Sequence, residues 1–125
     1  MNIVLWLTVM EDSSGLDGNG VLWTKDIETG CVPVAGVDDV YLWVDDEDGD
    51  CGGPSLTTRR RYMGASGRWH VELAKVVIDP PEYVRQQLMA EFARGHGHEH
   101  DIWWTNDNGP WPEEKLTASG WVRYK

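Results

Sequence analysis

The order of apolar and polar residues divides the chain into short segments, most of which are typical of β-strands. Residues 3–10 are apolar at both alternating positions, which predicts a strand whose two faces are both covered. Further strands are predicted over residues 21–27, 40–44, 56–63, 102–105 and 121–124. Residues 31–37 form a shorter candidate, which should be broken or lie at a sheet edge because Pro33 lacks the N–H that pairing requires.

Residues 68–78 show the alternation of a strand with one buried face. The apolar side chains of Trp69, Val71 and Leu73 occupy every second position, and polar side chains stand between them. The connection before this segment is short and contains a glycine. We therefore expect a hairpin with the preceding strand that turns within residues 63–68.

One helix is predicted after this strand. Asp79 suits the N-cap position, and Glu82 stands three residues later, as in a capping box. Gly95 suits the position just after the helix. The apolar stripe, at a spacing of four residues, consists of Val84, Leu88 and Phe92. The sequence therefore predicts an α+β fold: a mostly antiparallel sheet of about six or seven strands with one helix packed on a face.

Length and composition limit the class of protein. The 125 residues fit one domain over residues 1–125, and the hydrophobic share of 41% is enough for a core. No apolar run approaches the roughly 20 residues of a membrane helix, and no signal peptide is expected. Cys31 and Cys51 without a signal peptide indicate a cytoplasmic protein with ordinary thiols, although the sequence leaves their pairing open.

The net charge of −10 is concentrated in the first part of the chain. Residues 1–50 hold 12 acidic side chains and one basic side chain, whereas residues 51–125 hold nine acidic and ten basic ones. We call residues 38–50 the acidic segment. Its acids are Asp38, Asp39, Asp45, Asp46, Glu47, Asp48 and Asp50. This segment favours a partner protein with a basic surface and disfavours direct binding of nucleic acid, because phosphates are recognised by Lys and Arg.

One feature favours nucleic-acid binding instead: the three consecutive arginines Arg59, Arg60 and Arg61. Consecutive side chains of a strand alternate between its two faces, so the three are not expected to share one face. They are therefore a weak indication of a nucleic-acid groove. The favoured interpretation is that the arginines keep an edge strand solvated or face the acidic segment.

Eight tryptophans are many for this length, and most are expected to pack in the core. Trp103 and Trp104 are adjacent in a predicted strand, so they should point to opposite faces. Trp111 stands between two prolines in a predicted loop. Because interface hot spots are rich in tryptophan, Trp104 and Trp111 are candidates for partner-binding anchors.

Residues 96–101 form a histidine cluster, and they are the segment whose residue types best suit a metal site. Its candidate ligands are His96, His98, His100 and Asp101. In an extended chain two histidines at a spacing of two lie about 6.6 Å apart at their Cα atoms, which one zinc or nickel ion can bridge. The alternative is a solvated loop after the helix, where protonated histidine is favourable without any metal.

These observations favour a small acidic binding protein that engages a basic surface of a partner protein. It would be an accessory or inhibitor type, for example one that covers a nucleic-acid-binding surface. Two alternatives stay open: a structural subunit of a larger assembly that self-associates through exposed tryptophans, and a small metalloprotein or enzyme centred on the histidine cluster. No nucleophile motif or phosphate-binding loop in the sequence favours catalysis.

Overall fold

The computed structural model describes residues 1–10, 20–43, 54–93, 102–105 and 109–124. Its strands are β1 (Asn2–Met10), β2 (Gly20–Glu28), β3 (Asp39–Tyr41), β4 (Ser55–Met63), β5 (Trp69–Leu73), β6 (Val76–Ile78), β7 (Ile102–Trp104) and β8 (Val122–Arg123). Its helices are α1 (Glu82–Ala93) and α2 (Glu113–Ala118). The α+β class is confirmed. The described residues form eight strands and two helices, where the sequence predicted six or seven strands and one helix.

Strand β1 lies near the middle of the sheet, whose main order is β3-β4-β5-β1-β2-β8. It pairs antiparallel with β2 along its whole length. On its other side it pairs in parallel with β5 and then with β6, and β7 adds in parallel beyond β6. The sheet is therefore mixed, and the expected mostly antiparallel arrangement is wrong. The apolar character of β1 at both alternating positions fits a strand with one face buried throughout and the other face buried at Val4 and Met10.

Two of the expected strands differ from the structure. Residues 68–78 are divided into β5 and β6, with Ala74 and Lys75 between them outside any strand. Residues 31–37 form no strand; residues 35–37 are a turn in which Gly36 has a φ of 77°. The hairpin between β4 and β5 is confirmed, and Gly67 in its turn has a φ of 84° that favours glycine.

One face of the sheet, the core face, packs against α2 and the loops that flank it. Alternate residues of β1 point into this core, and α2 contributes Leu116. Trp121 is 1% exposed and donates its indole N–H to the backbone oxygen of Leu42 over 2.9 Å. Residues that are far apart in the sequence therefore meet in one apolar cluster.

Helix α1 packs on the opposite face at one end of the sheet. Val84 and Leu88 are both buried, and they form a second apolar cluster with Met10 and Val77, which lie opposite each other in β1 and β6. The predicted stripe is thus confirmed for these two residues. The side chain of Phe92 and the proposed stop at Gly95 lie outside the described residues.

The helix begins two residues later than predicted, so the N-cap role of Asp79 is wrong. The helix starts at Glu82, and the oxygen of Pro81 accepts the first helical bonds from Val84 and Arg85. Asp79 instead has a φ of 48°, a conformation that turns the chain at the end of β6, and its N–H donates to the oxygen of Trp104. Within the described parts of the chain, no helix has the length and apolar character that a membrane span requires.

Candidate functional site

The face of the sheet opposite the core is the best candidate for a binding surface. Side chains of directly opposed residues share a face, so the register assigns them. One row consists of Arg60, Glu72, Trp6, Thr24 and Val122, and the next consists of Tyr62, His70, Val4 and Asp26. Among the described residues, helix α1 packs on this face at the end that carries Met10 and Val77.

Four aromatic side chains lie together on this face, and we call them the aromatic cluster: Trp6, Tyr62, His70 and Tyr124. The indole N–H of Trp6 donates to Nδ1 of His70 over 3.0 Å. Tyr62 stacks on His70 with ring centroids 5.0 Å apart and planes 7° apart. Tyr124 meets Trp6 edge to face at 5.2 Å. These contacts hold the rings in fixed positions while Tyr62 stays 38% exposed and Tyr124 58% exposed.

Two ion pairs frame the aromatic cluster. Arg60 donates from Nε and Nη2 to the two carboxylate oxygens of Glu72 over 3.1 and 2.7 Å, and its guanidinium lies 5.1 Å from the centre of the Tyr62 ring. The hydrogen bond to Glu72 and the charge of that carboxylate both raise the pKa of Arg60. Arg68 reaches Asp26 over 2.6 Å. Both pairs are exposed, so they orient side chains more than they stabilise the fold.

A β-bulge explains how the three consecutive arginines are placed. Thr58 pairs with Leu73 and Arg60 pairs with Glu72, so two steps along β4 match one step along β5. The extra residue is Arg59. Arg60 and Arg61 lie on opposite faces, as alternation predicts, with Arg61 5.7 Å from the Trp69 ring. The bulge lets Arg59 line a groove on the same face as Arg60, which strict alternation would have forbidden.

Only two acids of the acidic segment lie among the described residues, and both make local hydrogen bonds. Asp38 accepts from the N–H of Val34 over 2.7 Å, and Asp39 accepts from the hydroxyl of Thr57 over 3.0 Å. The bond between Asp39 and Thr57 joins β3 to β4, whereas the bond between Asp38 and Val34 closes the turn before β3. The other acids lie outside the described residues: Asp45, Asp46, Glu47, Asp48 and Asp50.

The candidate tryptophan anchors lie largely inside the core. Trp111 is 8% exposed, and Trp104 is half-buried with its indole N–H donated to the oxygen of Gly109 over 2.9 Å. Both rings contact Trp43 edge to face. Trp103 is 37% exposed and is opposite Val77, on the other side of the sheet, as the alternation predicted. A core role accounts for the contacts of Trp104 and Trp111.

The proposed metal ligands His96, His98, His100 and Asp101 lie outside the described residues. Within the part of the chain that the structure describes, no three His, Cys, Asp or Glu side chains stand close enough to hold a metal ion. Cys31 is exposed with a free thiol. Zinc or nickel binding therefore stays a prediction from the sequence.

The chain matches no protein-family model, no curated protein and no solved structure.

Sequence reasoning missed the aromatic cluster, although one signal for it was present. The alternation in residues 68–78 placed His70 and Glu72 on the polar side of their strand. What the sequence did not show is that this strand pairs in parallel with β1. That pairing brings Trp6 next to His70.

Proposed function

We propose that this chain is a non-enzymatic binding protein that docks on a partner protein through the aromatic cluster. The observation that carries the proposal is the exposed position of Tyr62 and Tyr124 on rings that are already fixed by neighbouring side chains. Tyrosine and tryptophan are enriched at interface hot spots because they bury much area and have few rotatable bonds to immobilise. A surface that is ordered before binding loses little entropy on association.

The charge of the chain supports a basic partner. The first 50 residues carry a net charge of −11, and the acidic segment includes β3, which lies directly beside β4, the strand that carries Tyr62. On the aromatic face itself, Arg60 and Arg68 are each matched by a carboxylate. The acidic segment would then speed the approach of a basic protein surface, and the aromatic cluster would supply the contact area.

The test begins with a pull-down that identifies the partner by mass spectrometry and continues with affinities of the purified pair. Tyr124→Ala should weaken binding at least about tenfold, because a hot-spot side chain contributes roughly 2 kcal/mol or more. Tyr83→Ala is the matched control, since Tyr83 is 55% exposed on α1, which packs at the end of the face that carries Met10 and Val77.

The control should bind within about twofold of the parent chain, which is the range of a residue at the edge of an interface or outside it. Equal losses for Tyr124→Ala and Tyr83→Ala would show that the aromatic cluster is not the contact surface. Thermal melts of both variants check that each folds. Tyr124 lies after the last strand and is largely exposed, so its truncation removes little core.

A further inference from the structure

His70 is the central member of the aromatic cluster, because the positions of both exposed tyrosines depend on it. Its ring face stacks on Tyr62 with the two planes 7° apart. Its Nδ1 accepts the indole N–H of Trp6 over 3.0 Å, and Trp6 in turn contacts Tyr124 edge to face. Tyr62 is therefore held by His70 directly, and Tyr124 is held by it through Trp6.

The bond between Trp6 and His70 exists in only one protonation state of the imidazole. An indole is a donor only, so Nδ1 has to offer a lone pair, and the proton of the neutral ring then sits on Nε2. A second proton would go to Nδ1, where it would point at the N–H of Trp6. Turning the ring over would not restore the bond, because that rotation puts a carbon in the place of Nδ1.

The surroundings of His70 decide which side chain gives way. Nε2 lies so close to the hairpin that a Cβ added to Gly64 would stand 2.8 Å from it. Tyr62 covers one face of the ring, with the centroids 5.0 Å apart. A protonated His70 therefore has little room to retreat, and the conflict of two facing N–H groups is relieved by movement of Trp6.

Two ion pairs supply the charged side chains that face His70 among the described residues: Arg60 with Glu72, and Arg68 with Asp26. They lie on β2, β4 and β5, and β1 faces His70 with uncharged side chains. The remaining titratable neighbour is Tyr62. Arg59 and Lys75 line the groove beside Trp6, and neither is unpaired. Both carboxylates that face His70 thus already bind an arginine.

We propose that His70 is a proton switch for the aromatic cluster. The neutral imidazole holds Trp6, and through it Tyr124, in the positions that the structure shows, and the protonated imidazole releases both. Imidazole side chains gain their proton between about pH 8 and pH 5, so the switch operates near physiological pH. The consequence for docking rests on the proposed function: the partner contact is strong at neutral pH and weak at mildly acidic pH.

The switch is tested on the isolated chain. The indole N–H resonance of Trp6 in ¹⁵N-labelled protein, assigned by its loss in Trp6→Phe, is followed from about pH 7.5 to about pH 5.5 together with the ring resonances of His70. The Trp6 resonance should shift with the same midpoint as His70, and the cross-peaks between the rings of Trp6 and Tyr124 should be lost. The indole resonance of Trp121 should stay fixed, because its N–H bonds to a backbone oxygen in the core.

His70→Asn keeps the acceptor and removes the titration. The amide oxygen of asparagine is bonded to Cγ, as Nδ1 of histidine is, and it accepts a hydrogen bond at every pH in this range. In this variant the Trp6 resonance should stay in one position throughout. The matched control replaces His96, His98 and His100 with Asn, and it should titrate like the parent chain.

The docking arm uses the purified partner. The parent should bind it about tenfold more weakly at pH 5.5 than at pH 7.5, because only chains with a neutral His70 are competent to bind. The ratio of the parent's affinity to that of His70→Asn cancels any titration of the partner itself. A ratio that does not change with pH would show that His70 does not control docking.

A Trp6 resonance that does not follow the titration of His70, or that titrates equally in His70→Asn, would overturn the switch. Loss of the titration in the control variant would assign it to the histidine cluster instead. If the switch operates and Tyr124→Ala binds the partner as tightly as Tyr83→Ala, the proposed partner contact alone is wrong. The two proposals therefore fail in distinguishable ways.

Discussion

The indole N–H of Trp6 donates to Nδ1 of His70 over 3.0 Å, and this bond joins two strands that are 64 positions apart in the sequence. The acceptor has to be an unprotonated Nδ1, because a protonated imidazole has only donors. The ring planes of the two residues are 27° apart, so the pair is both hydrogen-bonded and stacked. This contact fixes the aromatic cluster on the strand pair β1–β5.

A double-mutant cycle measures this contact. Trp6→Phe and His70→Phe each keep a ring and remove one end of the hydrogen bond. We expect a coupling free energy of about 1 kcal/mol, since a protein hydrogen bond contributes roughly 0.5–1.5 kcal/mol. Urea denaturation of the parent, the two single variants and the double variant gives the value. Additive losses within about 0.3 kcal/mol would contradict the contact.

Two buried tryptophans should differ in their tolerance of phenylalanine. Trp121 donates to the oxygen of Leu42, so Trp121→Phe leaves a buried carbonyl without its donor. The loss of this donor should lower the free energy of unfolding by about 1–3 kcal/mol, in addition to the effect of the smaller side chain. The indole N–H of Trp43 is buried without a hydrogen-bond partner among the described residues, so Trp43→Phe also removes an unfavourable group. Urea midpoints should fall more for Trp121→Phe. The reverse order would show that the two indole environments are misassigned.

The stability of the chain should depend on pH through Lys25. Burial lowers the pKa of Lys25 below its ordinary value of 10.5. At neutral pH the lysine is charged in both the folded and unfolded chain, so its desolvation destabilises the fold. This cost is relieved as the pH rises through the lowered pKa toward 10.5, because the folded chain loses the proton first.

Lys25→Met keeps the aliphatic stem and removes the charge. The variant should therefore have a higher free energy of unfolding than the parent at pH 7, and the difference should shrink as the pH approaches 10.5. Urea denaturation at a series of pH values measures it. A difference that grows with pH would have the wrong sign for a desolvated ammonium group.

Local patterns predicted most of the strands and helix α1, but they predicted neither helix α2 nor how the strands pair. The apolar run in β1 and the turn between β4 and β5 depend on neighbouring residues, and both were confirmed. The parallel pairing of β1 with β5 and β6 depends on contacts across more than 60 positions, and no local spacing encodes it. Asp79 had the sequence of a cap, yet the turn out of β6 required its positive φ.

The acidic segment should control the rate of partner association. Replacing Asp45, Asp46, Glu47 and Asp48 with Asn and Gln should slow association and change dissociation little, because exposed charges mainly steer the encounter. The parent should also lose affinity as salt rises, since charges are screened beyond about 8 Å in physiological salt. If the variant associates as fast as the parent at low salt, the acidic segment does not steer association.

The histidine cluster should bind zinc or nickel if the spacing of His96 and His98 presents both imidazoles to one ion. Isothermal titration calorimetry on protein without an affinity tag measures the stoichiometry and affinity. His98→Ala should lose most of the affinity, because it removes the ligand shared by every pairing at a spacing of two residues. Unchanged affinity in this variant would place the metal elsewhere.

The candidate site was only partly predictable from the sequence, because it depends on tertiary packing, as the pairing of the strands does. The excess of acids and the number of tryptophans are visible in the composition, but exposure is a property of the fold. Trp111 stands between prolines in the sequence and is nevertheless buried. Arg59 looked like one of three equivalent arginines, and only the bulge distinguishes it. Both outcomes depend on tertiary packing, which a single sequence does not display.

The central position of β1 also sets an order of events during synthesis. Its antiparallel partner β2 ends at Glu28 and can pair early, whereas β5 begins only at Trp69. At about 5–20 residues per second, the ribosome needs roughly 2–8 s to add the chain between them. During that interval one edge of an apolar strand lacks its permanent neighbours, so the nascent hairpin is the stage at which a chaperone would protect this chain most.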